Sequence, residues 1–183
     1  MIDSQLRVSG VNAEFVLARM SAVPREQFVP AEARAHAYVD RAVPLGDGRF
    51  LAAPLIQGRM LEEARPLASD TVLLVDGGSG YLAELVRPLV GSLETISAED
   101  GAAGKVAGRG FTLLLIDGAV EQLPAKLVER LADGARVIAG LKLRGLSRLA
   151  VGRKAAGEVV LAPLADMGIP ELPEFAAAKG WSF

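Results

Sequence analysis

The chain has 183 residues, of which 51% are hydrophobic, and a formal net charge of −2. That is enough apolar material for one sizeable core, and it excludes a disordered chain; the near-neutral charge offers no overall attraction to nucleic acid or to an anionic membrane. The absence of cysteine and the single histidine, His36, exclude disulfides, thiolate nucleophiles and any multi-histidine metal centre, and fit a reducing cytoplasm.

The first residues, Met1-Ile2-Asp3-Ser4-Gln5-Leu6-Arg7, lack the basic-then-apolar order of a secretory signal. No apolar run has the length of a membrane span, and no internal repeat is present. Residues 3–22 read as helical, with Asn12 as a cap ahead of Phe15, Val16, Leu17 and Met20 at helical spacing. Pro24 opens a second short helix, and Pro30 starts another. Residues 38–48 contain Pro44, Gly46 and Gly48 and read as irregular and turn-rich. A helix follows over residues 55–63, with Ile56, Met60 and Leu61 toward the core.

From Thr71 the pattern changes to strands alternating with helices. Residues 72–75 predict a strand, 81–89 a helix and 93–97 a second strand. Residues 101–110 hold four glycines, too many for a helix. Residues 111–116 form the most apolar strand, 121–131 a helix with Leu123, Leu127, Val128 and Leu131 in phase, and 136–139 a strand after a turn at Asp133-Gly134. Residues 146–152 and 159–164 read as an antiparallel hairpin joined through 152–157. Phe175, Trp181 and Phe183 are expected to dock an extended tail on the body. The order predicts an α/β doubly wound fold behind a helical N-terminal cap, as a single domain over 1–183 with an extension (1–66) and a core (67–183).

The chain is organised around Val72-Leu73-Leu74-Val75-Asp76-Gly77-Gly78-Ser79-Gly80-Tyr81. A buried strand, a glycine turn and a helix start are the first half of a βαβ unit, and the turn lies at the carboxyl edge where open α/β sheets bind ligands. A glycine turn alone is a weak signal, and a plain strand-to-helix connection reads the same way. Asp117 has two readings, a polar group facing the cleft or a cap for the following helix; the cap is the favoured one. Arg41, Arg49 and Arg59 are candidates to ring a carboxylate, although scattered arginines are usually solvated. His36 reads as a surface or helix-end residue.

Several pieces, in this order, resemble the protein-L-isoaspartate O-methyltransferase family. They are Asp3-Ser4-Gln5-Leu6-Arg7, Val23-Pro24-Arg25-Glu26-Gln27-Phe28-Val29-Pro30, Ala37-Tyr38-Val39-Asp40, Pro44-Leu45-Gly46-Asp47-Gly48, Gly78-Ser79-Gly80-Tyr81, residues 111–119 with Gln122-Leu123-Pro124, and residues 131–137. The resemblance covers most of the chain. It implies a Rossmann-like, S-adenosylmethionine-dependent methyltransferase fold that methylates isoaspartyl carboxylates in damaged proteins or peptides. On that basis Asp76, Gly77, Gly78, Ser79 and Gly80 would hold S-adenosylmethionine. Glu99 would take its ribose, or Asp100 if the register slips by one; an exposed loop acid is the bland alternative for Glu99.

The chain departs from the family pattern at three places. The family's strand acid is Leu74 here, and Asp76 stands where the family has glycine. The family's active-site serine is Ala52, and the aromatic or histidine three residues on is Leu55, so no catalytic residue is assigned. Residues 98–110 are long enough for one crossover but not for the family's third strand and adenine loop. The doubly wound sheet is therefore expected to be shortened, and its uncovered edge to favour a homodimer. Two functions follow: a methyltransferase with an altered site and weak or lost activity, or a catalytically silent module for binding or assembly.

Overall fold

The structure, a computed structural model, describes residues 1–177. Trp181 and Phe183, expected to dock the tail, lie outside the described residues. The N-terminal part is more broken than its periodicity suggests. A π-type turn over Ile2–Leu6 and a 3-10 turn over Arg7–Ser9 end at Gly10, whose φ of +87° stops the helix. Helix α1 then covers Glu14–Ala22. Asn12 does not cap it with its side chain. Instead the Asn12 and Ala13 N–H groups donate to Glu62 Oε1 at 3.1 Å each, so a carboxylate from a later helix satisfies the orphan amides.

Two 3-10 segments, Arg25–Phe28 and Ala31–His36, lead to a hairpin of β1 (Val43–Gly46) and β2 (Arg49–Leu51). Within the segment read as irregular, Val43–Gly46 is thus paired antiparallel backbone, while the residues on either side of it turn and bend. Helix α2 (Pro54–Ala64) starts with proline at its first position, where the missing N–H costs nothing.

The main sheet has strands β3 (Thr71–Asp76), β4 (Ser92–Ser97), β5 (Phe111–Val120), β6 (Leu131–Leu143), β7 (Leu146–Ala155) and β8 (Glu158–Asp166). Their order is β4-β3-β5-β6-β7-β8, with β4 to β6 parallel and β7 and β8 antiparallel additions. Helix α3 (Tyr81–Val86) crosses from β3 to β4. Between Ser97 and Phe111 the chain makes only helix α4 (Ala98–Ala103) and an irregular return, so β4 ends the sheet.

Four sequence expectations need correction here. Residues 98–103 are helical despite Gly101, because Ser97 Oγ caps the Asp100 N–H and Gly101 sits against Phe175, where a side chain has little room. The helix expected over 121–131 shrinks to α5 (Ala125–Val128): Pro124 sets its start, the Glu121 N–H donates to the Phe175 carbonyl, and Leu131 already pairs with Phe111 in β6. Strand β5 runs on to Val120, and β6 begins before Gly134 and continues to Leu143. The late hairpin turns at Ala156-Gly157, and an equal two-residue turn at Arg144-Gly145 joins β6 to β7; all four residues have positive φ, the mirror-image turn that matches strand twist.

Alternate strand residues face opposite cores. Val72, Leu74, Leu113, Leu115, Ile138 and Leu149 join the N-terminal helices and turns. Leu73, Val75, Leu114, Ile116, Val137 and Ala139 join α4, α5 and the tail residues Leu172 and Phe175. The tail crosses the end of β5, where the Ala119 N–H donates to Pro170 O at 2.7 Å and the Leu172 N–H donates to Ala119 O at 2.9 Å. Its residues Leu172 and Phe175 are buried in the core of the second face.

Candidate functional site

The carboxyl ends of β3, β4 and β5 bring the candidate residues to one edge of the sheet. Asp76 ends β3 and pairs in register with Ser97, which ends β4. The Asp76 carboxylate folds back over the glycine turn, Oδ2 accepting from Gly78 N at 3.1 Å and Oδ1 from Gly80 N at 2.9 Å. Ser79 Oγ accepts from Tyr81 N at 3.1 Å and helps to start α3. Aspartate in this position therefore shapes the turn through its own backbone. Leu74, where the family has an acid, is fully buried in the core on the N-terminal face. Gly77 has a separate cause: a β-carbon there would lie 2.2 Å from the Asp117 carbonyl, so the turn and the end of β5 touch backbone to backbone.

Asp117 is not a helix cap. It lies within β5, 5% exposed, and its carboxylate accepts from Gln57 Nε2 at 3.3 and 3.4 Å. Burial pushes its pKa up to about 7; the nearby Asp76 charge adds to this, while the Gln57 amide and Arg25 oppose it. Gln57 Oε1 in turn accepts from Arg25 Nη1 at 2.6 Å. Arg25 is fully buried and donates also to Ala37 O at 2.9 Å and Ala52 O at 2.7 Å, with its guanidinium 4.7 Å from the centre of the Tyr81 ring. Burial lowers the Arg25 pKa, against the pull of its neighbours. One cation thus ties the Ala52 turn to the first residue of α3, and through Gln57 to Asp117.

Arg49, Glu99 and Glu174 close the same edge from above. Arg49 is in β2, Glu99 lies in the first turn of α4 and Glu174 belongs to the tail. Arg49 Nη2 donates to Glu99 and, at 2.6 Å, to Glu174 Oε1, while Nη1 reaches Glu174 Oε2 at 3.3 Å. The Arg49 pKa is raised: burial lowers it, and Glu174 followed by Glu99 more than compensate.

Asp76, Gly77, Gly78, Ser79, Gly80 and Glu99 are therefore brought together, but the Gly78 and Gly80 amides are taken by Asp76, the Ser79 hydroxyl accepts from Tyr81 N, and Glu99 is held by Arg49. The three arginines do not converge: Arg59 pairs with Glu62 and Glu63 on α2, Arg41 is exposed, and Arg49 alone reaches the loop. His36 is exposed. Arg25, Gln57 and Glu174 escape sequence reasoning. Arg25 carries a signal only as part of the Val23-Pro24-Arg25-Glu26 motif, its burial being visible in the structure alone, whereas Gln57 and Glu174 are placed only by long-range packing. Open cavities lie away from the loop, among them two with mainly apolar walls. One of about 470 Å3 is lined by Leu123, Val128, Val159 and Leu161. The other, about 610 Å3, lies beside β1 and His36.

Residues 1–99, over half of the chain, match the sequence family described as Protein-L-isoaspartate(D-aspartate) O-methyltransferase (PCMT). A protein-L-isoaspartate O-methyltransferase of Koribacter versatilis is 33% identical over 190 aligned residues, covering 91% of this chain and 86% of the relative. The chain belongs to the protein-L-isoaspartate O-methyltransferase family. A second member, from Roseiflexus castenholzii, is 32% identical over 162 residues, covering 75% of this chain and 74% of its own.

Among solved structures, a beta-aspartate methyltransferase (PCMT) from Plasmodium falciparum, in complex with S-adenosyl-L-homocysteine, superposes with a TM-score of 0.72 at 18% identity. The match covers 92% of this chain and 95% of that one. A protein-L-isoaspartate O-methyltransferase structure gives 0.69 at 19% identity, over 96% of this chain and 64% of its own. The fold is the Rossmann-like methyltransferase fold, with the sheet ending at β4.

Proposed function

We propose that this chain carries the family reaction in strongly attenuated form: transfer of a methyl group from S-adenosylmethionine to isoaspartyl carboxylates of damaged proteins or peptides. The observation that carries this reading is the glycine turn after β3 with Glu99 just past the end of the adjacent parallel strand, Asp76 and Ser97 being in register. That is the place where open α/β sheets take a nucleoside. S-adenosylmethionine supplies an electrophilic methyl group when bound. The protein's share of such a transfer is alignment of the acceptor carboxylate.

Asp76, Gly77, Gly78, Ser79, Gly80 and Glu99 are the residues proposed to meet the cofactor. In the arrangement described they do not fit it: the Gly78 and Gly80 amides are bonded to Asp76, and Glu99 is bonded to Arg49. No step of the transfer is therefore assigned to a side chain. Ala52, at the family serine position, is 2% exposed and has no hydroxyl. These two facts are why the activity is expected to be attenuated, and a second reading, a catalytically silent module for binding or assembly, rests on them as well.

Calorimetric titration with S-adenosylhomocysteine, followed by methylation of an isoaspartyl peptide and its aspartyl isomer, separates the readings. We expect weak saturable binding and slow methylation confined to the isoaspartyl peptide. Binding without any methylation would establish the silent module.

The setting we propose is cytoplasmic. No helix of the described residues is long and apolar enough to cross a membrane, and these residues hold no acidic or histidine cluster arranged for a metal. The proposed homodimer rests on the open edge of β4. A monomer in sedimentation velocity at high concentration would dispose of it.

A further inference from the structure

We propose that Arg49 sets this chain's affinity for its cofactor, by lying along the glycine loop and holding the carboxylate that the ribose would need. The inference rests on the methyltransferase reading only for the identity of the ligand, an adenosine carrying a sulfur-linked amino acid. The obstruction itself follows from side chains of this protein.

Arg49 is anchored by its backbone, which pairs with Gly46 across the hairpin. Its stem lies on the loop. A β-carbon at Gly78 would stand 3.1 Å from both Cβ and Cγ of Arg49 and 3.3 Å from Cδ, which puts those methylenes in packing contact with the turn. From there the guanidinium spans to Glu99, 50 residues on, and to Glu174, 125 residues on. Three segments distant in sequence thus meet over one loop. A ligand resting on Gly78 must lift the Arg49 stem, and a diol approaching Glu99 must displace Nη2.

The charges make the closure adjustable. One cation faces two carboxylates, and the Glu99 side chain is 61% exposed while Arg49 and Glu174 are each 21% exposed. Pairs of this exposure are weakened by salt. Glu174 matters because it is on the tail: removing its charge takes away one arm without touching the hairpin or the loop. When the binding-competent state is only a fraction of the population, the measured dissociation constant is the intrinsic one divided by that fraction.

The test is titration calorimetry of the full chain with S-adenosylhomocysteine as the probe, at low and high sodium chloride. Arg49→Met keeps the stem but loses the charge; it should bind about tenfold more tightly than the wild type, the equivalent of about 1.4 kcal/mol. Glu174→Gln should shift affinity in the same direction by a smaller factor, and added salt should tighten the wild type more than Arg49→Met. Arg87→Met, which breaks an exposed pair with Glu84, serves as the control for loss of a surface charge.

Arg49→Met and Glu174→Gln both binding no better than wild type would overturn the proposal, as would complete absence of binding by all four proteins. Tight binding by Arg49→Met with no methylation of the isoaspartyl peptide would leave the Arg49 assignment standing and remove the enzymatic reading. Should Arg49→Met fold poorly, the Glu174→Gln titration and the salt series decide alone.

Discussion

Asp117 is a carboxyl group with almost no water around it, and its proton has consequences for stability. Burial first, then the Asp76 charge, holds its pKa at about 7 in the folded protein, far above the ordinary carboxylate range. Between that range and about pH 7 the folded protein keeps a proton that the unfolded chain has released. Stability therefore falls as pH rises through this window, by up to about 1.4 kcal/mol per pH unit. Asn at this position cannot ionise. Urea unfolding at pH 5 and pH 8 should show wild type losing stability between the two and Asp117→Asn losing less. Equal losses would mean that Asp117 is already ionised in the folded state at pH 5. Ionised Asp117 would be a carboxylate close to Asp76 and bonded through Gln57 to buried Arg25. The network linking the Ala52 turn to the loop would then change its charge without changing its connections.

Elements in this protein are held at their ends by side chains or backbone that arrive from far away. Glu62 of α2 caps α1, and the tail fixes the exit of β5. Phe175 shows how much the tail contributes: it is 1% exposed and packs in the core of the second face with Leu172. Phe175→Ala should cost about 3–5 kcal/mol, measured by urea or thermal unfolding, if the tail is an integral wall of that core. A cost below about 1 kcal/mol, the range of exposed sites, would show it to be a loose strap. The same long-range logic decides what was legible in the sequence. The run from Val72 to Tyr81 declared a strand, a turn and a helix because apolar side chains and glycines speak locally. The short connection after Ser97 was legible because chain length alone forbade another strand. Helix α4 was hidden, since Gly101 argues against a helix until Phe175 is known to fill its neighbourhood. Leu131 keeps helical phase with Leu127 and Val128, yet it belongs to β6 because Phe111 pairs with it. Asp117 read as a cap only while a helix was expected to follow it. The partners of Arg49 were beyond reach, because nothing near residue 49 or residue 174 refers to the other.

At the scale of the whole molecule, the N-terminal extension and the sheet share one core. Leu6, Val11, Val16, Leu17 and Met20 pack in the same cluster as Val72, Leu74, Leu113, Ile138 and Leu149. We propose that residues 1–66 have no separate stability. Calorimetry should then give a single heat-absorption peak with equal calorimetric and van't Hoff enthalpies; two resolved transitions would assign the extension its own folding unit. The docking of Arg136 gives this arrangement a history as well as a stability. Arg136 donates to the carbonyls of Ala64 at 2.6 Å and Arg65 at 2.8 Å, 72 and 71 residues earlier in the chain. During synthesis the extension emerges well before β5, β6 and β7, on which it packs. Its apolar faces must wait for those strands, whereas the β6-β7-β8 meander pairs locally through two-residue turns. Non-local closure of this kind is slow and leaves aggregation-prone surface open. Until β7 has been made, the apolar side chains of Leu6, Val11, Val16, Leu17 and Met20 lack the full set of strand partners that bury them.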